Sequence, residues 1–183
     1  MYIATYAVRA FLPIYALSEG VNILVVGSFF SIQEAVHLMA RPWCGRFGDR
    51  FGYPSAIVLG LFSLSISLPA LTYSHNGLVL CAISMMIGLA EALLSPSTIA
   101  MVAVEANPDH VGASMGIVGT LRNLGKVIGP ILAGALIRWF DYSGAFHLIG
   151  GIVLVSALAL MIGQNRYAIG LKISHTQFGS RGS

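Results

Sequence analysis

Five ionisable side chains sit inside long apolar stretches of this chain: Arg9, Glu34, Glu91, Arg122 and Lys126. In hydrocarbon each costs roughly 2.5 to 3.5 kcal/mol, so each requires an opposite charge, a wet cavity or a task. Two acids and three bases can neutralise one another around a polar lining. Glu34 and His37 are three apart and Arg122 and Lys126 four apart, so each pair shares one helix face, and those faces are expected to point inward. Glu34 or Glu91 is then the candidate to take up and release a proton, with Arg122 as its counter-charge or as the holder of an anionic substrate group. The alternative is a static set of ion pairs that fixes helix register. His37, near the end of its stretch, reads as a packing or interfacial residue. Arg9 and Lys126 have stems long enough to snorkel toward the interfaces.

Composition identifies the solvent that these groups must face. The chain is 56% hydrophobic and 9% charged, with mean hydropathy +0.81. A soluble domain is about 45 to 50% apolar and about 25% charged, so the bilayer is the solvent here. From Phe51 to Ala90 there is no formally charged residue, and the only interruption is Tyr73-Ser74-His75-Asn76-Gly77, which reads as two spans and a turn. Because a spanning helix needs about 20 mostly apolar residues, the chain divides into six: Tyr2 to Leu17, Val21 to Cys44, Ser55 to Tyr73, Gly77 to Val104, Val111 to Ile137 and Ser143 to Gly163. The expected fold is an all-α integral membrane bundle over residues 1–165, followed by a polar, unstructured tail over 166–183. Short links make neighbouring helices antiparallel.

With both termini in the cytoplasm, the inner loops and tail hold Arg41, Arg46, Arg50, Arg166, Lys172 and Arg181, and the outer loops hold only Arg138. The acidic link Glu105 to His110 runs against this pattern, although the rule counts bases and not net charge. A net charge of +3 follows from the inner basic excess and needs no nucleic acid. The first span starts at Met1 with no cleavable leader pattern, which argues against a signal peptide. Cys44 and Cys81 fall at opposite ends of their spans and are expected to be free.

Two clusters outside the charges carry the organisation. Gly45-Arg46-Phe47-Gly48-Asp49-Arg50-Phe51-Gly52 reads as a short loop at the membrane surface, where glycines let helix ends approach and Asp49 pairs with an arginine or a helix N-terminus. The fifth span carries Gly116, Gly125, Gly129, Pro130 and Gly134: a face with almost no side chains and a proline that invites a bend.

These two clusters resemble motifs of the major facilitator superfamily. Gly45, Asp49, Arg50 and Gly52 occupy the first four defined positions of its cytoplasmic loop motif, while Tyr53 and Pro54 stand where bases are usual. Gly116, Gly125, Gly129, Pro130 and Gly134 resemble its antiporter motif, with Ala133 in place of one glycine. The resemblance implies a six-helix half of a transporter in which the first, second, fourth and fifth helices line a cavity and the third and sixth lie outside. It also implies that Asp49 and Arg50 belong to a cytoplasmic gate. No arginine occurs between Ser84 and Ala92, and the first span has no acid. Both departures point to the C-terminal half, spans seven to twelve of a full carrier.

The implied function is secondary transport of a small solute by alternating access, with proton-coupled efflux at the cell membrane the leading reading. The rival is a truncated or non-transporting scaffold that needs a second half. An N-terminal six-helix half, or a second copy of the chain, would close the charged face. An enzyme is not expected. Gly112-Ala113-Ser114-Met115-Gly116 matches a nucleophile elbow only by letter, and Glu34-Ala35-Val36-His37 lacks the second histidine of a zinc helix, so neither catalysis, nor a cofactor, nor a metal is expected.

Overall fold

A computed structural model describes residues 1–18, 20–73, 76–107 and 110–179, with side chains as far as residue 164. No strand occurs among them. The chain forms α1 (Tyr2–Ser18), α2 (Ile23–Phe51), α3 (Tyr53–Thr72), α4 (Gly77–Glu105) and α5 (Val111–Gly179). Asparagines set two of the starts: the side chains of Asn22 and Asn76 accept from the backbone N–H groups of Leu24 and Leu78, satisfying first-turn donors that lipid cannot. α2, α3, α4 and the stretch of α5 to Gln164 are long and apolar enough to cross a membrane. α1, at 17 residues, is shorter.

Two expectations about boundaries are corrected. The arginine-rich segment is not a loop: α2 runs on through Gly45, Asp49 and Arg50 to Phe51, and the whole reversal into α3 is made at Gly52. Its φ of 91° is open to glycine and strained for other residues. Its N–H donates to the Gly48 carbonyl, and Pro54 sits in the first turn of α3, where a missing N–H costs nothing. Lipid favours this arrangement, since a helix satisfies every backbone group and a loop does not.

Nor do six separate helices appear. The described residues form five helical elements, and the fifth has one break at Asp141 (φ 58°, ψ 177°), within the link expected between Arg138 and Tyr142. The backbone stays helical through Pro130, where the bend was expected, and onward to Gly179, into the segment read as a tail. Residues 180–183 lie outside the described residues, as do Glu19, Ser74, His75, Pro108 and Asp109 of the expected links.

α1 packs on the first part of α5, α2 packs on α4, and α3 packs on both α4 and the later part of α5. Phe29, Leu64, Leu68, Leu71, Ile87, Leu94 and Phe146 are fully buried between them. Outside, large apolar side chains are bare: Trp139, Leu24, Met39, Ile131 and Val155 are all at least 66% exposed. An apolar exterior around an apolar core is what a lipid solvent permits, and the chain is a multi-pass membrane protein.

Candidate functional site

The intramembrane charges meet where α1, α2 and α4 converge. α2 can come this close to α4 because Gly88 has no side chain: a Cβ there would lie 2.5 Å from the Gln33 carbonyl oxygen and 3.1 Å from Val36 Cβ. Gln33 is thereby set against Glu91, one turn further along α4, and its Nε2 donates to Glu91 Oε1 at 3.2 Å. Arg9 of α1 donates through Nη2 to Glu34 Oε2 at 2.8 Å, and the same nitrogen stands 3.5 Å from Glu91 Oε2. His37 Nδ1 lies 3.5 Å from Glu34 Oε1 and 3.9 Å from Glu91 Oε2. One cation thus bridges two acids on two other helices.

The two carboxylates are not equivalent. The Glu91 side chain is 7% exposed and that of Glu34 is 47% exposed, so Glu91 is the floor of the site and Glu34 its rim. Above them opens a cavity of about 140 Å³ whose lining includes Tyr6, Arg41, Ser95 and Arg122. That volume is large enough for several waters. The charges therefore line a shared cavity between the helices.

Of the sequence-expected residues, Glu34, Glu91, Arg9 and Arg122 all line this cavity. Their pairing differs from expectation. Arg9, expected to snorkel, is the counter-charge, whereas Arg122 has no ion pair within 4.0 Å among the described residues. Lys126 is aimed elsewhere, its Nζ 5.7 Å from the centroid of the Tyr6 ring, which the Arg9 guanidinium also approaches at 5.9 Å. The Lys126 contact ties α5 to α1 through the negative face of that ring, while the Arg9 contact lies within α1. His37, expected to be a packing residue, is buried and faces both acids. Gln33 and Arg41 were missed. Gln33, His37 and Arg41 recur every four residues, a polar stripe along one face of α2 that periodicity could have disclosed.

The two motif clusters divide likewise. Asp49 accepts a hydrogen bond from the Tyr53 hydroxyl at 2.8 Å, across the Gly52 turn, and has no ion pair among the described residues. Tyr53 thus supplies a neutral donor at a position where the resembling motif carries a base. In α5, a Cβ on Gly125 would lie 2.6 Å from Tyr2 Cβ, and one on Gly129 would lie 2.8 Å from the Ile3 carbonyl oxygen. Gly134 meets the Phe11 ring. These three make the α1 contact, whereas Gly116, expected on the same face, meets nothing within 4 Å among the described residues. The residues from Gly112 to Gly116 are helical, without the strand and turn that a nucleophile elbow needs.

A family model described as Major Facilitator Superfamily matches residues 1–177. The chain is 27% identical over 155 residues to a protein named multi-drug resistance efflux pump PmrA homolog from Lactococcus lactis subsp. lactis, covering 82% of this chain and 38% of that one. It is 21% identical over 160 residues to multidrug resistance protein MdtG of Salmonella heidelberg (85% of this chain, 40% of that one). To the protein of the same name from Escherichia coli it is 23% identical over 161 residues (85% and 39%). The chain thus spans about two fifths of the length of these relatives.

Proposed function

The chain belongs to the major facilitator superfamily, and from that premise we propose that it is a six-crossing half of a secondary transporter that exports a small amphipathic solute by alternating access, coupled to protons. Membership is of a transporter family and not an enzyme family. The break at Asp141 supports a division of α5 into two crossings, which gives six. The missing arginine of the fourth span supports placement as the C-terminal half, with both termini cytoplasmic. An N-terminal six-helix half, or a second copy of this chain, closes the crevice. Export is supported by the names of the relatives, which are an efflux pump and multidrug resistance proteins.

One observation carries the coupling: Arg9 on α1 is shared by Glu34 on α2 and Glu91 on α4, in a cavity that Arg122 of α5 also lines. While both acids are charged, α1 is held to α2 and α4 through one guanidinium. A proton on either acid removes one of its two anchors, and the helices can then part. Arg122, unpaired among the described residues, remains to receive an anionic group of the solute or a carboxylate released in the change.

The test is transport of ethidium, an amphipathic cation, into proteoliposomes under an imposed pH gradient, with the chain alone and with an N-terminal half co-reconstituted. We expect gradient-driven flux in the unsubstituted protein and flux indifferent to the gradient in Glu91→Gln. Equal gradient dependence in the unsubstituted protein, Glu34→Gln and Glu91→Gln would remove proton coupling. Flux no greater than in empty vesicles in both arrangements would favour the scaffold.

A further inference from the structure

Around His37, which the proposed proton coupling does not use, the atoms of the crevice make a set of ligands. Glu34 and Glu91 each have one oxygen engaged outward: Glu34 Oε2 by Arg9 at 2.8 Å, and Glu91 Oε1 by Gln33 Nε2 at 3.2 Å. The other oxygens, Glu34 Oε1 and Glu91 Oε2, both turn toward His37 Nδ1, at 3.5 and 3.9 Å. The three groups place one ligand atom each within 4.8 Å of one another. Among the described residues, neither His37 nitrogen has a hydrogen-bond partner, and neither has Glu91 Oε2, although Glu91 is only 5% exposed. Buried acceptors without partners are costly and ask for a ligand. Tetrahedral coordination at about 2.1 Å spaces its ligand atoms about 3.4 Å apart, close to the separations from His37.

We propose that Glu34, His37 and Glu91 form a binding site for a divalent transition-metal ion of the zinc type. One imidazole with two carboxylates suits zinc better than magnesium or calcium, which take oxygen alone. Gln33 orients the Glu91 carboxylate from behind, as second partners of metal ligands do. Arg9 is the resident competitor: its Nη2 lies 3.5 Å from Glu91 Oε2, beyond the length of a strong charge-assisted bond, so a divalent ion can displace it there while it keeps Glu34 Oε2. The cavity that Glu34 rims is the way in. The site shares its acids with the proposed proton relay, yet binding is an equilibrium property that a chain moving no solute can still show.

The test is equilibrium dialysis of the full chain in detergent micelles against Zn²⁺, with helical circular dichroism as the folding control. We expect one ion per chain. His37→Gln and Glu91→Gln should weaken it by more than about 100-fold, the upper end for the loss of an orienting partner, and Gln33→Ala by about 10-fold. Arg9→Gln, which removes the competitor, should tighten it. Substitution of Co²⁺ should give the visible absorption of a tetrahedral ion, absent in His37→Gln. The proposal is overturned if the folded chain binds no Zn²⁺, or if it binds equally in His37→Gln and Glu91→Gln. If those two variants do not fold, unchanged or weaker binding in Arg9→Gln overturns it. Flux measurements do not enter these outcomes, so a failure of transport and a failure of metal binding are separable.

Discussion

The α2–α4 seam and the α3–α5 seam are both buried between helices and both hold apolar side chains, yet only the first adds a cluster of charged and polar groups. Along α2 and α4 the contact holds Gln33, His37 and Glu91, tied to Arg9 of α1. Along α3 and the later part of α5 it holds Leu64, Leu68, Leu71, Phe146 and Val153, with Pro69 seated against Gly150. A seam of dispersion contacts has one best packing and gains nothing from a proton or an ion. A seam of charges changes strength whenever one of its groups is neutralised. The first suits a fixed wall and the second a contact that opens.

Substitutions can break this contrast, and the largest effect belongs to the apolar side. Leu68→Ala empties a fully buried position and should cost about 3 to 5 kcal/mol of stability. Thermal unfolding in micelles should show the loss, while the dependence of ethidium flux on the pH gradient stays as it was; a change in that dependence would mean that α3 is no passive wall. Arg9→Met should cost about 3 kcal/mol, the low end for a broken buried pair, because the Arg9 and Glu34 head groups are partly exposed. Adding Glu34→Gln should recover part of that loss, and a double variant no more stable than the single would deny the pairing. Smaller still is the glycine face of α5. Gly129→Ala should cost about 1 to 3 kcal/mol by forcing α1 away from the helix. Gly116→Ala, facing open space, should stabilise by no more than about 1 kcal/mol through helix propensity. Equal shifts in the two glycine variants would put the α1 contact elsewhere.

Hydropathy and the turn residues made much of the fold legible: the starts of α4 at Gly77 and α5 at Val111 fall where the sequence placed them, and α1 runs from Tyr2 as expected. The end of α2 was hidden. Three arginines and three glycines between Arg41 and Gly52 look like surface loop to any count of apolar residues, yet a helix at an interface keeps its backbone bonds whatever its side chains. In the site, Glu34, Glu91 and the helix face that Glu34 shares with His37 were legible because buried charge is rare enough to announce itself. Which base answered them was not. Helical spacing says which residues lie on one face of one helix, and it is silent on how helices are rotated against each other. Arg9 and Arg122 were therefore indistinguishable until α1 was seated on Gly125 and Gly129.

At Gly52 a single residue separates two helices of 29 and 20 residues. So short a joint has no slack, and the Tyr53 hydroxyl bonded to Asp49 stitches its two sides together. A swing of the tip of α2 should therefore carry the start of α3 with it, and loss of that hydrogen bond in Tyr53→Phe should loosen the corner.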